Sequence, residues 1–259
     1  MGAFEELFSL RGQTAIVTGA SSGLGVEFAR ALATAGADVA LVARRRDRLE
    51  AVAGELRESG VRAVAVPADL VEAGACTHVV AEAERLLGPV SILVNNAGVA
   101  PMSRAEKHAR DKWERALLLD LTVPFLLAQE VARRLIESGR PGRIVNVTSV
   151  LARTANPVYN AIGYVTAKAG LENATRQMAT EWAKYGITVN ALGPGWFQTE
   201  LTEHGFAEPS NVERVLNRTP MGRLGEGSEL RTALLYLVAP ASSFTTGTTV
   251  FVDGGWTSW

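Results

Sequence analysis

Short apolar runs and longer helical patterns alternate along this chain almost from end to end. The runs are Thr14–Thr18, Asp38–Ala43, Arg62–Val66, Ile92–Asn95, Arg143–Thr148, Thr188–Leu192 and Thr249–Val252. They are near-continuous Val, Ile, Ala and Leu rather than alternating apolar and polar residues. That pattern belongs to strands buried on both faces, which is how parallel sheets covered by helices are built. Helical stretches fall between them at Val26–Ala35, Leu49–Ser59, Gly74–Leu87, Lys112–Glu137 and Gly163–Tyr185. Strand, helix, strand in regular succession predicts an α/β chain with a doubly wound parallel sheet of about seven strands and right-handed crossovers. No linker or repeat divides residues 1–259, so one domain is expected. The segment Gln198–Gly227 breaks the rhythm with mixed polar, Pro and Gly residues, and is either a substrate lid or a surface excursion.

Composition removes several function classes. Twenty-six basic residues against 27 acidic ones give a net charge of −1, without the basic footprint that nucleic acid or an anionic membrane requires. The single cysteine, Cys76, excludes an internal disulfide, and three scattered histidines (His78, His108, His204) lack metal-ligand spacing. No metal site is therefore expected. Met1–Leu10 carries Glu5 and Glu6 where a secretory leader would carry positive charge. No apolar run approaches the ~18 residues that span a bilayer. A cytoplasmic chain without a membrane partner is expected.

The first strand runs into Thr18-Gly19-Ala20-Ser21-Ser22-Gly23-Leu24-Gly25, and a helix follows. Glycines at such a turn let the backbone approach a pyrophosphate, which the amides at the helix start then hold. The spacing is Gly-x3-Gly-x-Gly, and the Gly-Lys-Ser/Thr of a triphosphate loop is absent. A tight turn without a ligand is the alternative. Further motifs follow: Asp69-Leu70, Asn95-Asn96-Ala97-Gly98, Ser149, Tyr164-x3-Lys168, Pro194-Gly195 and Val252-Asp253-Gly254-Gly255. In this order, over nearly the whole chain, they resemble the short-chain dehydrogenase/reductase family. The resemblance implies a Rossmann-type fold, a nicotinamide dinucleotide cofactor and a ketone–alcohol interconversion. It places the cofactor on Gly19, Ser21, Ser22, Gly23, Leu24, Gly25, Asp69, Leu70, Asn96, Ala97, Gly98, Pro194, Gly195 and Thr199, with Thr199 the hydroxyl ligand of the nicotinamide carboxamide. It also sets Asn95 and Gly98 on the adenosine side, although Asn95-Asn96 suits a plain strand-ending turn as well.

The second strand ends in Ala43-Arg44-Arg45-Arg46, with no carboxylate where an adenosine ribose would need one. Guanidinium groups there match a 2′-phosphate, which predicts NADP(H), with Arg44 the first ligand and Arg45 the second. The alternative is that these arginines are the solvated first turn of a helix.

Tyr164 and Lys168 are four apart, hence on one helix face. Four tyrosines and four lysines in 259 residues would give about 0.06 such pairs by chance. Reduction of a ketone needs a proton on oxygen, and an adjacent ammonium brings the pKa of a phenol down from about 10 toward the working range. By resemblance, Tyr164 is the proton donor, Lys168 also holds the nicotinamide ribose, and Ser149 hydrogen-bonds the substrate oxygen. Thr148 is the competing hydroxyl. The 15-residue step from Ser149 to Tyr164, with Pro157 between, is about two longer than the family's. The family has Asn in Asn-Leu-x-x-x-Phe, where this chain reads Asp120-Leu121-Thr122-Val123-Pro124-Phe125; Asp120 accepts but cannot donate, and is assigned a supporting catalytic role. Trp196 and Phe197 are expected to pack in the core or lid.

The expected function is an NADP(H)-dependent carbonyl reductase or alcohol dehydrogenase acting on a small molecule. Within the family the chain resembles gluconate 5-dehydrogenases and 3-oxoacyl-carrier-protein reductases. An NAD-linked polyol dehydrogenase and a non-catalytic cofactor-binding regulator are the rivals, and retention of Ser149, Tyr164 and Lys168 counts against the regulator. The resemblance implies a homotetramer. Phe251, Trp256 and Trp259 in the apolar tail Thr249–Trp259 suggest an exposed contact surface, or else a tail folded onto its own core.

Overall fold

A computed structural model describes residues 7–155, 158 and 160–258. Its strands are β1 (Thr14–Thr18), β2 (Asp38–Ala43), β3 (Ala63–Pro67), β4 (Val90–Asn95), β5 (Gly142–Val147), β6 (Ile187–Pro194) and β7 (Thr249–Val252). All pair in parallel, in the order β3-β2-β1-β4-β5-β6-β7. Strands β1, β2 and β7 coincide with the expected runs, and the others differ by one or two residues at an end. The order reverses between β1 and β4, and the crevice beyond their carboxyl ends is where such sheets bind ligands.

Alternate residues of each strand feed two cores. Ala15, Val17, Val39, Leu41, Ile92 and Val94 pack with helices α1 (Leu24–Thr34) and α2 (Arg46–Glu58) on one face. Ile16, Ala40, Val42, Leu93 and Ile144 pack on the other face with α3 (Ala75–Leu87) and α5 (Val123–Ser138). Burial on both faces is the reason these strands are uniformly apolar. Helices α4 (Arg110–Leu117), α6 (Ile162–Trp182), α7 (Glu200–Phe206), α8 (Pro209–Arg218) and α9 (Arg231–Val238) complete the order, with α7 and α8 in the irregular segment between β6 and β7. Among the described residues, no helix is long and apolar enough to cross a membrane.

One expectation needs correction. The single helix over Lys112–Glu137 is instead α4 and α5, separated by a π-helical turn at Leu118–Thr122. Pro124, at the start of α5, has no N–H to offer the carbonyl of Asp120, and its ring crowds that carbonyl; the helix accommodates this by widening one turn. In the tail, Trp256 is fully buried, with its ring 5.4 Å from Trp196 and the Arg218 guanidinium 4.8 Å from its face. Of the two alternatives for the tail, Trp256 takes the second and folds onto its own core, while Phe251 is half-buried. Trp259 and Pro157 lie outside the described residues.

Candidate active site

The glycine turn is shaped by backbone proximity. Gly19 (φ +68°) and Gly23 (φ +57°) adopt the left-handed conformation that glycine takes without strain. A Cβ on Gly19 would come within 2.8 Å of the Asn96 amide nitrogen, and one on Gly25 would collide with the carbonyl oxygen of Gly19. Asn96 holds this turn from the neighbouring strand: its Nδ2 donates to the Thr18 carbonyl at 2.8 Å. The Thr18 hydroxyl in turn accepts from the amides of Asn96 and Ala97, at 2.9 and 3.0 Å. No side chain caps the start of α1, so its first amides remain for an anion.

A cavity of about 440 Å³ opens over this turn. Gly19, Ser21, Ser22, Gly23, Leu24, Arg44, Arg45, Asp69, Leu70, Asn96, Ala97, Gly98, Pro194, Gly195 and Thr199 all line it, together with Ser149, Tyr164, Lys168 and Asp120. Two predicted residues stand apart from the lining. Gly25 serves the close packing of helix on turn. Asn95 is buried, with its amide donating to the Pro124 carbonyl (3.0 Å) and to Asn146 Oδ1 (2.9 Å). It ties β4 to β5 and α5 rather than facing the adenosine side.

The arginines behave differently from one another. Arg44 is exposed at the cavity edge. Arg45 reaches back over the glycine turn, where its Nη2 donates to the hydroxyls of Ser21 at 2.9 Å and Ser22 at 2.8 Å. Glu200 joins the same group, and sequence reasoning missed it. The only signal was a carboxylate one residue past a Thr that caps a helix, which says nothing about a distant partner.

The candidate acid–base groups sit just past β5 and on α6. Ser149 follows β5 and its Oγ accepts from the Leu151 amide at 3.1 Å, leaving its own proton for another acceptor. Thr148 lines the same cavity, but it donates its hydroxyl to the Leu192 carbonyl at 3.3 Å, so its proton is committed to the sheet. Of the two hydroxyls, Ser149 is the one whose proton is not donated to the sheet. One turn apart on α6, Lys168 Nζ lies 5.5 Å from the centre of the Tyr164 ring. The Lys168 ammonium is buried; it donates to the Val147 carbonyl at 2.9 Å and pairs with Asp120 Oδ1 at 3.3 Å. Three ammonium protons and two such partners leave one proton for a further acceptor.

Asp120 is fully buried in the π-helical turn, and its Oδ2 accepts from the Val99 amide at 3.1 Å. Burial pushes its carboxyl above the usual range, against the opposing pull of Lys168 and the Val99 amide. A Cβ on Gly98 would collide with Asp120 Oδ1. Glycine is thus what lets the strand end approach this carboxylate. Thr199 lines the cavity, but its hydroxyl also caps α7, accepting from the Thr202 amide at 3.4 Å. Trp196 and Phe197 are buried, as expected of packing residues.

This donor set fits a nicotinamide dinucleotide: an uncapped helix start behind a glycine turn, arginines at the end of β2, and an ammonium with a spare proton deeper in the cavity. The comparisons with known proteins agree. The family model described as enoyl-(acyl carrier protein) reductase matches residues 19–257. Gluconate 5-dehydrogenase of Gluconobacter oxydans is 38% identical over 250 residues, covering 96% of each chain. Galactitol 2-dehydrogenase (L-tagatose-forming) of Cereibacter sphaeroides is 39% identical over 256 residues, covering 99% of each. The crystal structure of a gluconate 5-dehydrogenase from Burkholderia cenocepacia in complex with NADP and tartrate superposes with a TM-score of 0.93, at 35% identity and 99% coverage of both chains. The glycine turn, the Tyr164–Lys168 pair and these likenesses over the whole length lead to one conclusion: the chain belongs to the short-chain dehydrogenase/reductase family of oxidoreductases.

Proposed function

We propose that this protein is an NADP(H)-dependent oxidoreductase that interconverts a ketone and a secondary alcohol on a polyhydroxy acid. The observation that carries the reading is convergence: Ser149, Tyr164 and Lys168 line the same cavity as the glycine turn and the arginines at the end of β2. The names of the relatives, two of them gluconate 5-dehydrogenases, support a sugar-acid substrate.

The bound nicotinamide would exchange a hydride with the carbinol carbon. The protein's task is the proton. In the reducing direction Tyr164 gives its phenolic proton to the carbonyl oxygen, and the Ser149 hydroxyl donates a hydrogen bond to that same oxygen as charge develops on it. The Lys168 ammonium favours the phenolate left behind, and its third proton suits a ribose hydroxyl. In the oxidising direction the phenolate takes the proton back. The anchor of Lys168 on the Val147 carbonyl and on Asp120 fixes its position. Arg44 and Arg45 would receive the 2′-phosphate, Asp69 and Leu70 the adenine, and Gly98 the neighbouring ribose. We also read residues 1–259 as one domain, with 198–227 as its substrate loop, assembling as a cytoplasmic homotetramer.

A second reading, an NAD-linked polyol dehydrogenase, is favoured by the galactitol 2-dehydrogenase relative. Initial rates with NADPH and NADH against oxo sugar acids, ketohexoses, oxoacyl thioesters and aryl ketones separate the two. The proposal expects NADPH with an oxo sugar acid to give the highest kcat/KM. Equal or better use of NADH with a ketohexose would favour the second reading.

A further inference from the structure

Glu200 is the first residue of α7, yet its carboxylate belongs to a group assembled far away in the sequence. Its Oε2 accepts from the Ser22 hydroxyl at 2.8 Å and from Arg45 Nη2 at 2.9 Å. Its Oε1 accepts from Arg45 Nη1 at 3.3 Å and from Arg48 Nη1. Arg45 is itself steadied by Ser21, whose hydroxyl accepts from its Nε at 3.2 Å and its Nη2 at 2.9 Å. These contacts hold the carboxyl well below its ordinary value, at about 2, the Arg45 hydrogen bond being the largest cause, then those of Arg48 and Ser22. Glu200 is therefore an anion throughout the working range of an enzyme.

One hydroxyl and two guanidinium groups around a planar anion are also the donors that a phosphate monoester selects. They stand between the glycine turn and the end of β2, where an adenosine 2′-phosphate would arrive. In this structure the protein's own carboxylate fills that position. With Glu200 in place, two guanidinium charges face one carboxylate, a net charge of +1. A phosphate of roughly −2 arriving at Arg44 and this group therefore meets one net positive charge fewer than it would without Glu200.

We infer that Glu200 is a specificity-determining residue, an internal anion that competes with the adenosine 2′-phosphate for Arg45, Arg48 and Ser22. The inference rests on the NADP(H) reading above. Its consequence is that the arginines favour NADP(H) over NAD(H) less strongly than they would alone. Because Glu200 starts α7, arrival of the phosphate also releases the first turn of that helix, whereas NAD(H) leaves it tethered.

The test needs neither substrate nor turnover. Calorimetric titration of 2′,5′-ADP and of 5′-AMP into the wild-type protein and E200Q isolates the phosphate contribution. Glu200 is half exposed (47%), and E200Q preserves its shape; Glu200→Ala repeats the measurement without the side chain. Removing one like charge at a solvated site should tighten 2′,5′-ADP by about 5- to 10-fold and change 5′-AMP less than about 2-fold. An equal gain for both probes would mean that Glu200 merely obstructs the cavity, and unchanged or weaker 2′,5′-ADP binding would make it a positioning residue for Arg45; either overturns the inference while a wild-type preference for 2′,5′-ADP keeps the NADP(H) reading. If neither protein prefers 2′,5′-ADP over 5′-AMP, the NADP(H) reading itself fails.

Discussion

In the proposed mechanism Lys168 stands between a phenol that it favours as phenolate and a carboxylate that opposes it. Its ammonium pairs with Asp120 at 3.3 Å inside the protein, where charges are poorly screened. An ionised Asp120 would offset the field that Lys168 exerts on Tyr164. Asp120→Asn removes that offset and keeps an acceptor for the Val99 amide. The acid limb of the kcat profile for alcohol oxidation should move to lower pH by up to about one unit; an unchanged or raised limb would show that Asp120 does not act on the phenol. The two adjacent hydroxyls make a second test. Loss of a donor to a developing oxyanion lowers kcat by roughly 100- to 1,000-fold, so Ser149→Ala should show that loss in ketone reduction, and Thr148→Ala, whose proton goes to Leu192, should stay within about tenfold of wild type. Residue identity alone could not separate these two, nor assign Asn95, because the deciding fact is where a strand neighbour's carbonyl or amide stands. Tyr164 and Lys168 were legible because their spacing on one helix is itself the geometry.

At the scale of elements, the strands were readable because each is buried on both faces and so carries one unbroken apolar run. The helix after β4 was not. Its apolar periodicity runs through Pro124, and only the backbone shows that the lost hydrogen bond is absorbed by a π-helical turn at Leu118–Thr122. That turn brings Asp120 under Gly98 and beside Lys168, so an interruption in the helix becomes part of the site. The α7 segment was illegible for a different reason: its partners, Arg45 and Arg48, are more than 150 residues away. The glycine turn gives the sharpest test at this scale. Gly25→Ala places a methyl against the Gly19 carbonyl and 2.7 Å from the Asn96 amide nitrogen, so the turn must open. Overpacking of this kind destabilises by about 1–3 kcal/mol; if the loss falls on the cofactor-binding form of the turn, cofactor affinity is weaker by about 5- to 150-fold in a fluorescence titration. Wild-type affinity in the variant would mean that the turn does not hold the cofactor.

Across the whole molecule, burial of Trp256 removes one of the tail aromatics from any contact surface, while Phe251 is half-buried. Other apolar surface remains open: Leu118, Phe125, Leu126 and Ile162 are each 37–39% exposed on the α4–α6 side. Exposed apolar groups of this kind mark association surfaces, and the proposed homotetramer would cover them. Light scattering at micromolar concentration should give four times the chain mass of 27.6 kDa; a monomer mass would contradict the assembly. In the proposed mechanism this fold brings a dinucleotide to Tyr164, and Tyr164 moves the proton. The decisive experiment is NADPH oxidation with an oxo sugar acid, measured for the wild type and Tyr164→Phe alongside NADPH binding to each. Turnover by the wild type, a loss of at least about 100-fold in the variant, and NADPH affinity within about 3-fold of wild type are expected. Retention of a tenth or more of the wild-type rate by Tyr164→Phe would contradict that mechanism.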